Sequence, residues 1–108
     1  MITIDDFKKV EIKVGTVVIS EAVEGSEKLI KLTVECGEGK PRTILTGMKA
    51  WYQPDYFLDK QILFVSNLEP KTMMGVLSQG MILAVDGEEG RPILLSVSEK
   101  VRSGASVR

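Results

Sequence analysis

The 108-residue chain contains no histidine and a single cysteine, Cys36. Histidine is the commonest general base and the commonest transition-metal ligand, so its absence removes the usual basis for acid–base catalysis and for a histidine metal site. One cysteine forms no internal disulfide and supplies no cysteine pair for a metal. We therefore expect no metal, no cofactor and no enzymatic activity, and we expect Cys36 to be a small buried residue that ends a strand.

An excess of positive charge is also missing. Fourteen lysines and arginines stand against fifteen aspartates and glutamates, which leaves a net charge of −1. Contacts to phosphate usually require a basic footprint, although a small basic patch can lie on a protein that is neutral as a whole. The charge balance therefore predicts that any nucleic-acid binding is weak and depends on a local group of cations.

Long apolar runs are absent as well, and none is long enough to cross a bilayer. The chain begins with acidic Asp5 and Asp6 where a secretory signal would be basic, so we expect no signal peptide and a soluble cytoplasmic protein. Apolar residues make up 44% of the sequence, which is ordinary globular composition. The length fits one domain with one core, spanning residues 1–108.

The N-terminal segment from Thr3 to Val10 predicts a short helix. Thr3 or Asp5 is placed to cap it, and acidic residues in the first turn complement the helix dipole. Ile4 and Phe7 are the expected buried face of this helix.

Alternation of apolar and polar residues predicts several strands along the rest of the chain. The predicted strands are Val10 to Ser20, Leu29 to Cys36, Arg42 to Thr46, Ile62 to Leu68, Gly80 to Val85 and Pro92 to Val97. Gly15 interrupts the first of them, where we expect a bulge or a sharp bend. Pro54, followed by an acidic residue, predicts a short helix between the third and fourth strands.

The order of strand, hairpin, short helix and two further strands predicts an all-β fold with short helices, namely an OB-fold five-stranded Greek-key barrel. The competing all-β interpretation is an SH3-like barrel, which usually lacks the helix between the third and fourth strands. OB barrels bind oligonucleotides or oligosaccharides on the face of the second and third strands. The fold by itself does not establish the function.

One long motif connects the fourth and fifth predicted strands. It reads Asn67-Leu68-Glu69-Pro70-Lys71-Thr72-Met73-Met74-Gly75-Val76-Leu77-Ser78-Gln79-Gly80-Met81. This run, together with the opening Asp6-Phe7-Lys8-Lys9-Val10, resembles the tRNA-binding domain shared by stand-alone structure-specific tRNA-binding proteins and the C-terminal extension of methionyl-tRNA synthetases. The chain departs from the family pattern at Thr72, where the family often has a second basic residue, and in Val23-Glu24, where it usually has His-Pro.

The resemblance implies a homodimer that binds tRNA by shape and not by sequence. It implies a role either alone or as a helper, such as a beta subunit, beside the catalytic subunit of a methionyl-tRNA synthetase. No membrane partner is expected. We expect the dimer contact to involve the N-terminal helix and the residues after Val85. The alternative is a dimeric peptide-binding secretion chaperone of the same fold, which Thr72 and the Met73-Met74 pair favour.

Eight residues are candidates for RNA binding. Asn67, Lys71, Ser78 and Met81 come from the long motif, and Lys28, Lys31, Arg42 and Lys49 form the expected basic patch. Each has a competing structural interpretation: a solvated lysine, a turn-forming asparagine or serine, or a methionine in the core. The aromatic residues Trp51, Tyr52, Tyr56 and Phe57 are expected to pack against the barrel end or a dimer partner instead of stacking on bases.

Overall fold

The structure is a computed structural model that describes residues 1–108 and consists mostly of short β-strands. Its elements are α1 (Ile4–Phe7), β1 (Ile12–Ala22), β2 (Ile30–Glu35), β3 (Arg42–Thr46), a first 3₁₀ helix (Pro54–Phe57), β4 (Gln61–Val65), β5 (Lys71–Met73), β6 (Val76–Ser78), β7 (Met81–Ile82), β8 (Ala84–Asp86), a second 3₁₀ helix (Glu88–Gly90), β9 (Pro92–Leu94) and β10 (Ser106–Val107). None of the helices has the length and apolar character that crossing a bilayer requires.

Five antiparallel strands follow one another in the order β3-β2-β1-β4-β7, and β10 pairs with the beginning of β1. β1 is long enough to pair with β4 over residues 12–16 and with β2 over residues 16–22. The free edge of β3 is approached by the chain just before β7, where Gln79 N donates to Thr43 O at 2.8 Å. The sheet is therefore a nearly closed five-stranded barrel, which confirms the predicted OB fold.

The barrel interior is filled by alternating residues of the strands and by one aromatic residue of the first 3₁₀ helix. Ile30, Leu32 and Val34 of β2 are fully buried, and Cys36 is 2% exposed, as their alternation predicts. Phe57 is also fully buried and belongs to the same core cluster. The predicted helix between the third and fourth strands is therefore confirmed, and it closes one end of the barrel.

Gly15 lies inside the barrel and is not the position of the bulge in β1. The register of β1 against β2 shifts between Val17 and Ile19, so the bulge predicted at Gly15 occurs further along the strand. A Cβ on Gly15 would lie 2.3 Å from Val34 Cγ1 and 3.0 Å from Phe64 Cε1. The glycine is required because β2 and β4 bring their core side chains together over this position.

The N-terminal helix is capped as predicted but buries nothing. Thr3 Oγ1 accepts a hydrogen bond from Asp6 N at 3.1 Å, and Thr3 N donates to Asp6 Oδ2 at 3.3 Å, which together form a capping box. The predicted buried face is wrong, because Ile4 is 67% exposed and Phe7 is 41% exposed. The helix is a single turn and none of its residues is buried within one chain.

The predicted fifth strand is two strands in different sheets. β7 pairs with β4, whereas β8 turns away and pairs with β9. The structure also contains the β5–β6 hairpin and the short β10, which the periodicity did not predict. Strands of two or three residues are too short to show an alternating pattern, so they read as loop.

Candidate nucleic-acid interface

Residues 67–78, called the arm below, project from the barrel as a small hairpin. β5 and β6 pair with Lys71 opposite Ser78, Thr72 opposite Leu77 and Met73 opposite Val76. The two residues at the tip, Met74 and Gly75, both have positive φ, at 52° and 76°. Two-residue hairpin turns of the primed type require positive φ at both central positions, and the glycine allows it without steric cost.

A groove of about 700 Å³ runs between the arm, β7 and the segment before the first 3₁₀ helix. Lys71, Ser78 and Met81, three of the residues predicted from the long motif, lie together in its wall. Trp51 lines the same groove and is 45% exposed, and Met81 is 49% exposed. The groove therefore offers an indole, a thioether and a primary amine to a ligand.

Ser78 forms the base of the arm instead of presenting a free hydroxyl. Its side chain is 5% exposed in the groove wall. Ser78 Oγ accepts from Leu45 N at 3.0 Å and donates to Gly80 O at 3.3 Å. The hydroxyl thus satisfies one amide on the open edge of β3 and fixes the chain that leads into β7.

Asn67 attaches the beginning of the arm to the segment before β1. Its Oδ1 accepts from Glu11 N at 2.9 Å, and its Nδ2 donates to Lys9 O at 2.7 Å. The side-chain amide is therefore engaged at both ends. Its place outside the groove makes it a connection between two surface segments.

The predicted basic patch is only partly assembled. Lys28 and Lys49 are neighbours, because Lys49 N donates to Lys28 O at 3.2 Å, and Lys49 Nζ is held on Ser26 O at 2.8 Å. Lys31 Nζ lies 3.8 Å from Glu21 Oε1 in an exposed ion pair. Exposed pairs of this kind are weak, so the lysine remains available to an anionic ligand.

Arg42 lies away from these lysines and is occupied by contacts within the protein. Its Nε and Nη2 both donate to the Glu38 carboxylate at 2.7 Å, in a bidentate pair. Its Nη1 donates to Ser66 O at 2.6 Å and to Gln79 O at 3.0 Å. The register puts Arg42 opposite Val34, at the other end of the β2–β3 hairpin from Lys31, so the four cations do not form one cluster.

The same contacts control the ionisation of two neighbouring groups. Hydrogen bonds from Arg42, and then from the Cys36 thiol, lower the pKa of Glu38 to about 2. Burial, followed by the hydrogen bond to Glu38, raises the pKa of Cys36 to about 11. Cys36 is therefore protonated at neutral pH, and the Glu38 carboxylate is ionised throughout the physiological range.

Replacing Glu38 with glutamine is expected to flatten the acid branch of the stability curve. The pKa of Glu38 in the folded protein is about 2 against an ordinary 4.5, so its stabilising effect is complete above about pH 4.5 and disappears as the pH falls toward about 2. Urea unfolding across this interval should show a smaller loss of unfolding free energy for Glu38→Gln than for the wild type. An equal loss of unfolding free energy in both proteins would contradict the lowered pKa of Glu38.

The aromatic residues divide into a packed group and one that faces the groove. Tyr52 stacks on Tyr56 with ring centroids 4.2 Å apart and planes inclined by 14°, and Phe57 meets both rings edge-on. This confirms the predicted packing for these three residues. Trp51 does not join them and lines the groove instead. No sequence signal separated Trp51 from Tyr52, because both lie between β3 and the first 3₁₀ helix.

The chain matches known proteins over nearly its whole length. The profile of the putative tRNA binding domain family matches residues 12–106. The methionine–tRNA ligase of Deinococcus radiodurans is 40% identical over 108 residues, and that of Methanocella arvoryzae is 44% identical over 107. These matches cover 100% and 99% of this chain but only 16% and 15% of the two ligases.

Solved structures show the same architecture. A protein from Pyrococcus horikoshii, described as related to methionyl-tRNA synthetase, superposes with a TM-score of 0.93 at 40% identity, covering 100% of this chain and 98% of that one. The chaperone CsaA of Bacillus anthracis superposes with a TM-score of 0.89 at 25% identity, covering 100% and 99%. The class of fold is thus a small antiparallel β-barrel. The chain belongs to the putative tRNA binding domain family.

Proposed function

We propose that this domain binds tRNA through the groove beside the arm, recognising shape and backbone and not base sequence, without a catalytic step of its own. The observation that carries the proposal is that Lys71, Met81 and Trp51 line one groove in a chain that belongs to the putative tRNA binding domain family. The groove combines a cation for phosphate with two apolar groups for the face of an unstacked base. These are the contacts by which proteins recognise folded RNA without a base code.

The charge distribution determines the strength of this binding. Lys71 is the cation in the groove wall, where Glu69 also lies. Lys28, Lys31 and Lys49 supply further positive charge outside the groove. With a net charge of −1 and Thr72 in place of a second cation, few phosphates are neutralised. We therefore expect modest affinity that falls as salt is added.

The named relatives support a role beside an aminoacylating enzyme. Two of them are methionine–tRNA ligases in which the matching part is 16% and 15% of the length. A binding domain of this size adds affinity when it is joined to, or associates with, a catalytic part, because the second contact becomes intramolecular. We propose that the domain supplies tRNA affinity to a methionyl-tRNA synthetase, as an attached domain or a separate subunit, or binds tRNA as a stand-alone protein.

Homodimer formation is part of the proposal and is supported by unpartnered apolar side chains. Ile2, Ile4, Phe7 and Val10 along and beside α1 are 71%, 67%, 41% and 42% exposed. Contiguous exposed apolar residues of this kind mark interaction surfaces. A second copy that covers α1 would bury the face that a single chain leaves in solvent.

Sedimentation equilibrium at micromolar concentration should give about twice the chain mass of 11.9 kDa. Phe7→Glu should shift the protein toward the monomer, because it places a charge in the proposed contact. Leu58→Glu is the matched control, since Leu58 is 44% exposed but lies after the first 3₁₀ helix, far from α1 in sequence. A wild-type protein that sediments as a monomer would remove the dimer from the proposal.

Replacing Lys71 with alanine should weaken the binding of all tRNAs by the same factor. Removing one phosphate contact should also reduce the slope of log affinity against log salt by about one. Fluorescence anisotropy of labelled tRNA across a salt series measures both quantities. Lys100→Ala removes the same charge outside the groove and is the control. Unchanged affinity and slope in Lys71→Ala would exclude this residue from the interface.

A second candidate is peptide binding, which the likeness to the CsaA chaperone favours. The groove contains Met73 and Met81, and methionine side chains adapt to varied apolar partners. The two candidates differ in the response to salt. Binding of an apolar peptide should be insensitive to salt, whereas tRNA binding should weaken steeply.

A further inference from the structure

One guanidinium contacts both ends of the arm. Arg42 Nη1 donates to the carbonyl oxygen of Ser66 at 2.6 Å and to that of Gln79 at 3.0 Å. These residues lie immediately before and immediately after the arm. A single side chain from β3 therefore bridges the two ends of the segment that carries Lys71, beside the β4–β7 pairing that puts Val65 opposite Met81.

Other contacts hold each end separately. Ser66 donates two hydrogen bonds to Glu11 O, one from its backbone N at 2.8 Å and one from its Oγ at 3.1 Å. Gln79 is bound to Thr43, whose amide donates to Gln79 Oε1 at 3.0 Å. Glu11 and Thr43 belong to different parts of the barrel. Among these contacts, those of Arg42 join one end of the arm to the other.

Arg42 has little capacity left for RNA. Four of the five donor hydrogens of a guanidinium are used, two on Glu38 and two on the backbone carbonyls. Its side chain is 20% exposed and lies over the Phe64 ring at 5.8 Å. The bidentate pair with Glu38 fixes the plane of the guanidinium, which in turn directs Nη1 toward both carbonyls.

We infer that Arg42, oriented by Glu38, is a positioning residue that sets the arm, and with it Lys71, for RNA binding, and that it does not itself contact RNA. The inference rests on the proposed function. It corrects the placement of Arg42 in a cationic patch, because its charge is used inside the protein. Glu38 is an acidic residue near a proposed site for a polyanion, and orienting Arg42 accounts for its presence.

Glu38→Gln distinguishes a positioning role from a purely electrostatic effect, because the two predict opposite changes in the affinity for tRNA. Removing a negative charge near the site should raise the affinity for tRNA if only electrostatics matter. Loss of the bidentate pair should instead weaken binding by about tenfold, a size typical of coupled neighbours. Anisotropy titrations with labelled tRNA at one salt concentration measure the difference. Affinity equal to or above the wild type would overturn the inference.

Arg42→Lys tests the same point with the charge retained. A lysine keeps the positive charge and its general attraction to phosphate, but an ammonium cannot hold a bidentate carboxylate and two carbonyls at once. We expect about tenfold weaker binding. In the Lys71→Ala background, Arg42→Lys should reduce the affinity for tRNA much less, because the lysine that Arg42 positions is no longer there. Full additivity of the two substitutions would contradict positioning.

Gln61→Ala is the control for general loss of stability. Gln61 bonds Thr16 and Val101 at the opposite end of β4, so its loss destabilises the barrel without touching the arm. Its tRNA affinity should equal that of the wild type at a temperature where urea curves show every variant folded. If Arg42→Lys does not fold, the isosteric Glu38→Gln decides the question.

Amide hydrogen exchange provides a measurement that is independent of RNA. Exchange of the arm amides should accelerate in Glu38→Gln, while the amides of β2 should be unchanged. A wild-type protein that fails to bind tRNA would overturn the proposed function, and the exchange result would still decide whether Arg42 and Glu38 hold the arm. Unchanged exchange in the arm would overturn the inference even if tRNA binds.

Discussion

Replacing Gly80 with alanine is expected to lower the free energy of unfolding by about 3 kcal/mol, from overpacking and backbone strain together. A Cβ on Gly80 would lie 3.0 Å from Phe64 Cδ2, 3.3 Å from Ile44 Cδ1 and 3.2 Å from the backbone oxygen of Val65. The backbone at Gly80 has a φ of 156°, which residues with a side chain rarely adopt. The backbone oxygen belongs to the strand that β7 pairs with, so it cannot move away without breaking that pairing.

The effect should extend to binding because Gly80 lies between the arm and Met81. Equilibrium urea unfolding measures the loss of stability, and tRNA anisotropy at low temperature measures any residual binding. Gly47→Ala is the matched control. No heavy atom beyond its chain neighbours lies within 4 Å of a Cβ at Gly47, so that variant should stay within about 0.5 kcal/mol of the wild type. A fully stable Gly80→Ala would show that the barrel closes differently from the described contacts.

Replacing Trp51 with alanine should weaken tRNA binding roughly tenfold, since stacking of one base on an aromatic ring contributes about 1–3 kcal/mol. The indole is 45% exposed in the groove wall, so its removal should have little effect on unfolding. Stacking is insensitive to salt, so the salt slope should be that of the wild type, in contrast to Lys71→Ala. Anisotropy across a salt series separates the two contributions.

Leu58→Ala controls for the loss of an exposed apolar side chain. Leu58 is exposed to the same degree as Trp51, at 44%, but does not line the groove. Its affinity for tRNA should be unchanged. If Trp51→Ala also binds as the wild type does, no base stacks on the indole, and the groove contacts RNA through Lys71 and Met81 alone.

The barrel could be predicted from the sequence because its strands carry a regular pattern. From Ile30 to Cys36, in β2 and just after it, apolar residues alternate with polar ones, and the structure buries the apolar set. The bounds of β3, Arg42–Thr46, are those that the sequence predicts. Pro54 begins the predicted short helix, and its Phe57 enters the core. These elements are determined locally by side-chain period and backbone preference.

The arm and the exposed helix could not be predicted because long-range contacts determine them. β5 and β6 are three residues each and are held by contacts of Ser78 and Gln79 with β3, more than thirty residues away in sequence. Ile4 and Phe7 are apolar, and an apolar residue indicates burial without saying whether the same chain provides it. The structure shows their exposure, because the core cluster forms without them.

The residues of the candidate site were predicted in part. The resemblance indicated Lys71, Ser78 and Met81, and the structure brings these three together. Trp51 was missed because it directly precedes Tyr52 in a segment rich in aromatic residues, which predicts that it packs with the others. The basic patch was predicted from residues on neighbouring strands, but strand register separates Arg42 from Lys31 and Glu38 engages its charge. Ion pairs of this kind depend on side-chain geometry that a sequence does not display.

Recognition of tRNA by this domain is best tested by the binding of labelled total tRNA to the wild-type protein across a salt series, with a plain RNA duplex as competitor. We expect saturable binding that weakens steeply with salt and that the duplex does not displace, because the domain is proposed to recognise the fold of tRNA. Displacement by the duplex would reduce the activity to general RNA binding. No binding even at low salt would exclude tRNA recognition by this domain and favour the peptide-binding alternative.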